Sequence, residues 1–253
     1  MHRINFLIRN LAPAFPLLFL PLFAACKKMP VQPDVPEKPL ALDLPEELNT
    51  DVLVPLTVGN WWRYETTTYR LGSNEPGRKD SSMWRIHADT LLTYEGQSFT
   101  AAISGWYYEK EDIVHDTRWL YINDSAGLNI GGGITSHDTM ITKYIERKYP
   151  VNVGDAWEFQ ELLYGIFQGQ GKFAFSEYTV HVSCLATDQP FETSVGVFQC
   201  HVYHFKIPIE DVYTKREYFV YYVPGIGRVG WEERNEGSEW LRHRTALYAC
   251  RVR

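Results

Sequence analysis

Pro55-Leu56-Thr57-Val58-Gly59-Asn60-Trp61-Trp62-Arg63-Tyr64 returns further along the chain as Pro150-Val151-Asn152-Val153-Gly154-Asp155-Ala156-Trp157-Glu158-Phe159. The shared pattern is P-x-x-V-G-[ND]-x-W-x-[YF]. Proline ends what precedes it, Gly followed by Asn or Asp makes a tight turn, and the Trp and the aromatic two residues on share one face of a new strand. The pair of motifs suggests two similar β units opening near Pro55 and Pro150, covering 54–148 and 149–253; convergent turn chemistry could also produce the match.

Outward from these motifs, no stretch after Val52 sustains a helical period. Runs rich in Tyr, Trp, Val, Ile and Thr alternate with turn residues, which predicts an all-β domain. The expected strands are Trp61–Leu71, Ser82–Thr93, Gln97–Lys110, Val114–Ile122, Gly127–Ile130, Thr139–Arg147, Ala156–Gln168, Lys172–Ala186, Val197–Ile207, Tyr213–Val223, Arg228–Arg234 and Glu239–Val252. Tyr94-Glu95-Gly96-Gln97, Asn123-Asp124-Ser125-Ala126-Gly127 and Asn235-Glu236-Gly237-Ser238 read as hairpin loops. Connections this short make neighbours antiparallel, because a parallel crossover needs about a dozen residues. The expected architecture is a curved antiparallel sheet, half-barrel or sandwich of about twelve strands.

Upstream lies a different kind of sequence. Arg3 and Arg9 precede an apolar run from Leu11 to Phe23, followed by Ala24-Ala25-Cys26, which reads as a lipoprotein signal over residues 1–25 with Cys26 as the acylated residue. An ordinary secretory leader cut near Ala24 or Ala25 is the alternative. Broken by Pro13, Pro16 and Pro21, the run falls short of the ~18–20 apolar residues a spanning helix requires. Three acyl chains, at ~0.8 kcal/mol per buried methylene, would anchor the chain stably. Residues 26–50 carry Pro30, Pro33, Pro36, Pro39 and Pro45 among charges and read as a tether ahead of a β domain over 51–253. Lys27-Lys28 directly after the cysteine favour the periplasmic face of the outer membrane.

Removing residues 1–25 takes away two arginines and no acid, so the formal net charge goes from −6 to −8. With no Lys/Arg run longer than Lys27-Lys28, nucleic acid is excluded as a partner. Lipidation of Cys26 leaves Cys184, Cys200 and Cys250, which cannot all pair within one chain. Alternation turns all three inward; a Cys184–Cys200 or Cys200–Cys250 bridge and three buried thiols both remain open.

Several constellations dissolve on inspection. Ser136-His137-Asp138 holds the residue types of a hydrolase triad, but neighbours on an extended chain point to alternate faces. Gly131-Gly132-Gly133 lacks the Lys-Ser/Thr of a phosphate loop and reads as a flexible loop. His201 and His204 fall on opposite faces of a strand, Glu109, Glu111 and Asp112 with Lys110 read as a solvated hairpin end, and no zinc or calcium motif occurs. No catalytic residue, metal or cofactor is expected.

Tyr218-Phe219-Val220-Tyr221-Tyr222-Val223 is apolar on both faces, as is the surrounding of Trp106-Tyr107-Tyr108. Something covers the second face: a second sheet or packed loop, or a groove for a lipid or a sugar lined by Trp106, Tyr108, Tyr218 and Tyr222.

Val54 to Tyr64, Gly196-Val197-Phe198-Gln199-Cys200 and Tyr221-Tyr222-Val223-Pro224-Gly225-Ile226-Gly227-Arg228-Val229 together resemble lipoproteins of Bacteroidetes-type bacteria across roughly residues 52–253. The resemblance implies a single curved antiparallel sheet, similar to the half-barrels of periplasmic lipoprotein carriers, and no catalytic residue. The functional expectation is a membrane-anchored envelope lipoprotein with a non-catalytic binding or scaffolding role. Its alternatives are a carrier of an apolar ligand on the concave face and a carbohydrate-binding lipoprotein.

Overall fold

Twelve antiparallel strands follow one another along the chain, each paired with the next except at one place. In the computed structural model they are β1 Trp61–Tyr69, β2 Pro76–Tyr94, β3 Gln97–Tyr108, β4 Arg118–Asp124, β5 Gly127–Ile134, β6 Thr139–Lys148, β7 Ala156–Ile166, β8 Phe173–Thr193, β9 Gly196–Ile207, β10 Arg216–Val223, β11 Gly227–Asn235 and β12 Leu241–Arg251. The structure describes residues 42–253 apart from 71, 109–117, 135–138, 167–172 and 208–214, and of residues 161–166 and 173–178 the backbone alone. Among the described residues there is no helix.

The sheet order is β6-β5-β4-β3-β2-β1-β12-β11-β10-β9-β8-β7. The first and last strands of the domain are therefore neighbours in the middle, with Trp62 opposite Cys250, and the break in pairing falls between β6 and β7. The result is one nearly closed, barrel-like sheet made of two six-strand meanders, β1–β6 and β7–β12.

Both meanders open on the same turn. Gly59 and Gly154 take φ of 93° and 90°, a region glycine enters without steric cost. Asn60 N donates to Thr57 O and Asp155 N to Asn152 O, both at 3.1 Å. Each turn is then stitched to its meander's second strand in the same way: Gly59 N to Ile86 O and Ile86 N to Asn60 O, against Gly154 N to Cys184 O and Cys184 N to Asp155 O. One local sequence builds one local structure twice.

The second strand of each meander is long and changes course after that anchor. In β2 the register shifts between Ile86 and Ala88; in β8 it shifts between Cys184 and Ala186 and again before Gln189. Such irregularities bend a strand and increase its twist. Beyond the bend each meander rolls up. A Cβ on Gly131 of β5 would stand 3.2 Å from Leu92 Cδ1 of β2, and one on Gly230 of β11 would stand 2.3 Å from Phe191 of β8. Strands three places apart in a flat sheet would be separated by about 14 Å. The roll also answers what covers the second face of β10. Val220 and Tyr222 face the shared core, while Tyr221 is stacked under Phe191 at 4.1 Å, so the cover is the far half of β8.

All twelve expected strands are present, their ends shifted by a few residues or lying outside the described residues, with three larger differences in extent. β2 begins at Pro76 rather than Ser82, because its polar start pairs with β1, where Thr67 faces Lys79 and Lys79 reaches Glu65 at 2.7 Å. β8 runs on to Thr193 by pairing with β9 through Pro190 opposite Gln199. Gly131-Gly132-Gly133 is not a loop: it lies buried within β5, where Gly131 packs against Leu92 and Ile122 and a Cβ on Gly132 would strike the Met140 carbonyl. The stretch before the domain is also tied down earlier than Thr50. Asp43 bonds to Cys250 O and Val252 N, and its carboxylate bridges Arg251 and Arg253, at 2.9 and 2.8 Å. Leu53 and Val54 are fully buried, and Val52 and Val54 carbonyls accept from Gly225 and Asn123.

Candidate functional site

The face of the sheet shared by both meanders carries a lattice of aromatic rings. Alternation along β1 places Trp62 and Tyr64 on it, and the neighbouring strands add Trp84, Trp106 and Trp231. Ring centroids are 4.6 Å apart for Trp62–Trp84, 5.7 Å for Tyr64–Trp106, 5.4 Å for Tyr64–Trp231 and 5.9 Å for Trp106–Trp231. These are offset and edge-on contacts of the kind ring quadrupoles favour. Trp62 donates its indole N–H to Ile226 O at 2.7 Å.

Arg228 is threaded into that lattice. Its guanidinium carbon lies 4.5 Å from the Trp231 ring, 4.7 Å from Trp106 and 5.6 Å from Tyr64. A guanidinium is weakly hydrated for a cation and stacks on π faces, so three rings replace much of the water it gives up. Tyr64 donates its hydroxyl to Arg228 O at 2.9 Å; burial holds its phenol above the usual range, and the Arg228 charge opposes that shift.

A second arginine enters from β6. Arg147 faces Leu128 and Ile145 faces Asn129, so Glu146 is the extra residue of a bulge and pairs with Arg147. The Arg147 guanidinium lies 4.9 Å from the Tyr222 ring and 5.0 Å from Phe205. Burial disfavours its charge, but Glu146, with Tyr222 and Tyr121, outweighs burial and raises its pKa. Among the described residues the concave face is thus aromatic and cationic, with the Glu146 carboxylate set against the Arg147 and Arg228 guanidinium groups.

Of the four side chains read as lining a ligand groove, Trp106 and Tyr222 belong to this lattice, one against Arg228 and the other against Arg147. Tyr218 lies further along β10 beside Glu233; burial, then Glu233, raises its phenol. Tyr108, at the end of β3, is 42% exposed and outside the lattice. The arginines and Glu146 escaped the sequence reading. Gly227-Arg228-Val229-Gly230, a charge held between glycines inside an apolar run, was the available signal.

On the outer face, a pocket of about 270 Å³ lies over β7, β8 and β9, among Ala156, Glu158, His181, Ser183, His204 and Lys206. Glu158 and His181 form an exposed pair at 2.8 Å. His204 is stacked on Phe219 at 4.6 Å with Nε2 3.5 Å from Glu217; burial lowers its pKa and Glu217 opposes this. His201 contacts Tyr149 instead. Among the described residues no group of three or more His, Cys, Asp or Glu side chains is placed to hold a metal. Cys26, the Ser136-His137-Asp138 run and the Glu109–Asp112 cluster lie outside the described residues.

The Cys184–Cys200 bridge does not form. Cys184 stands opposite Tyr203 and Cys200 opposite Gln189, and all three described cysteines are buried free thiols. Burial pushes the Cys200 and Cys250 thiols up to about 12, which keeps them protonated and unreactive.

No family model matches the chain, and no curated protein matches it. Two solved structures are similar. A Bacteroides fragilis protein designated as exported, with a YmcC-like fold, aligns at a TM-score of 0.44 and 14% identity over 79% of this chain and 99% of its own. A Parabacteroides distasonis protein designated a lipoprotein aligns at a TM-score of 0.40 and 12% identity over 79% of this chain and 98% of its own.

Proposed function

We propose that this chain is a lipid-anchored envelope protein, held at the periplasmic face of the outer membrane, whose β domain serves as a non-catalytic binding or scaffolding module. The anchor rests on Cys26 at the end of its apolar tract. The observation that carries the module reading is the concave lattice, in which Trp106, Trp231 and Tyr222 take Arg228 and Arg147 as partners. A carrier for an apolar ligand would need those rings to part and leave two guanidinium groups against hydrocarbon, which is costly. The glycan reading draws on exposed rings instead, Trp240 and Tyr108.

Three measurements test this. Cys26→Ser should move the protein from the detergent phase to the aqueous phase and remove the acyl mass from the intact molecule; unchanged partitioning refutes the anchor. The delipidated domain should leave a fluorescent fatty acid free in solution. Stoichiometric uptake would replace the scaffolding reading with the carrier, and a tryptophan fluorescence change with polysaccharide would replace it with glycan binding.

A further inference from the structure

We infer that the outer face of β2, β3 and β4 holds a site for a phosphate or sulfate group, built from Arg85, His87, Tyr107 and Arg118 around Gly105. It is independent of the anchor and of the concave face.

Arg85 stands opposite Gly105 on the paired strands β2 and β3. From the other side, Arg118 of β4 lies across the bare backbone of that glycine: a Cβ there would stand 2.5 Å from Arg118 Nη1 and 3.1 Å from His87 Nε2. His87 is the extra residue of the β2 bulge, and its Nε2 is hydrogen-bonded to the Tyr107 hydroxyl. Arg118 also lies over the Tyr107 ring, at 5.6 Å. A guanidinium, an imidazole and the phenol bonded to it therefore meet above one glycine, with Arg85 at the strand position opposite.

Among the described residues the charges at this place are unbalanced. Among the described residues no ion pair involves Arg85 or Arg118, and Arg85 Nε and Arg118 Nη1 are shut off from solvent without a hydrogen bond. Buried N–H groups are nearly always matched by an acceptor, and some arginines on other strands of this molecule have carboxylates, as Arg234 and Arg244 share Glu232. Burial, then Arg118 and Arg85, lower the His87 pKa to about 4, a field that an anion would cancel. Guanidinium forks match the oxygen spacing of a tetrahedral oxyanion, and two of them favour one of higher charge over a carboxylate.

The test titrates inorganic phosphate and sulfate into the full chain in detergent, reading the His87 imidazole by NMR and the melting temperature. Saturable binding is expected, with the His87 pKa rising as phosphate fills the site. Arg85→Gln and Arg118→Gln should each weaken phosphate about tenfold or more, as loss of a charge-assisted pair does. Gly105→Ala should weaken it comparably while keeping every charge. Vesicles of phosphatidylcholine with phosphatidic acid distinguish the sources: binding competed by phosphate assigns a lipid headgroup, and binding of free phosphate alone assigns a soluble ester or ion. Absence of saturable binding overturns the site, as does binding that leaves His87 unmoved or survives all three substitutions. Where a substitution prevents folding, the His87 response of the unaltered chain decides.

Discussion

The two meanders begin alike and end up in different company. After identical turns at Gly59 and Gly154, β1 is taken into the middle of the sheet between β2 and β12, whereas β7 pairs with β8 alone and forms an edge. Trp62 is fully buried, stacked on Trp84 and bonded to Ile226 O. Its counterpart Trp157 is only partly buried, edge-on to Tyr203, with Lys148 over its ring and its indole nitrogen without a hydrogen-bond partner. The turn is decided within a few residues; what the following tryptophan is worth depends on which strand arrives beside it.

Trp62→Ala should therefore cost about 3–5 kcal/mol in urea unfolding, the range for a fully buried large aromatic. Trp157→Ala should cost clearly less, and equal losses would break the contrast between centre and edge.

The second strands diverge at the bend. Ile86 and Cys184 hold the same place, so His87 corresponds to Leu185, and only the first meander has a titratable group there. A histidine whose folded pKa is about 4, against 6.5 unfolded, takes up its proton more readily when unfolded. Stability is thus intact above pH 6.5 and falls as the pH drops towards 4. Allowing for its half-exposure, the loss is on the order of 1–2 kcal/mol. His87→Leu should flatten stability over that window; an unchanged slope would place the acid sensitivity elsewhere.

Gly59→Ala and Gly154→Ala should each cost about 1 kcal/mol, since both sites have positive φ and open space around a Cβ. Matching losses sharpen the equivalence of the two turns. The smallest effect belongs to the edge: Glu158→Gln, which removes the exposed partner of His181, should change stability by less than about 0.5 kcal/mol.

Strand identity was legible because alternation and turn chemistry are local. Glu95 and Gly96, read as a hairpin loop, both take positive φ, as a tight two-residue turn demands. What was not legible depends on partners far off in sequence. Pro76 to Ser81 are polar, and only the facing end of β1 makes them a strand. The three consecutive glycines suggest looseness until the roll of the first meander brings Leu92 and Ile122 against them. Likewise, the two-faced β10 announced a cover without naming Phe191, and Trp106 and Tyr222 were legible as inward aromatics while the arginines between them were not.

The contact at Asp43 decides how mechanical load enters the domain. Its amide and carbonyl bond to Cys250 and Val252 in parallel register, and its carboxylate holds Arg251 and Arg253. A pull from the chain upstream of Leu42 is passed first to the end of β12, one of the two strands that join the meanders. Directed lengthwise there, it acts as shear shared by the two ladders that β12 makes with β1 and β11, whereas the same lengthwise pull on β7 would load its single ladder with β8. The direction in which this domain resists force is fixed by where its first residues meet its last strand.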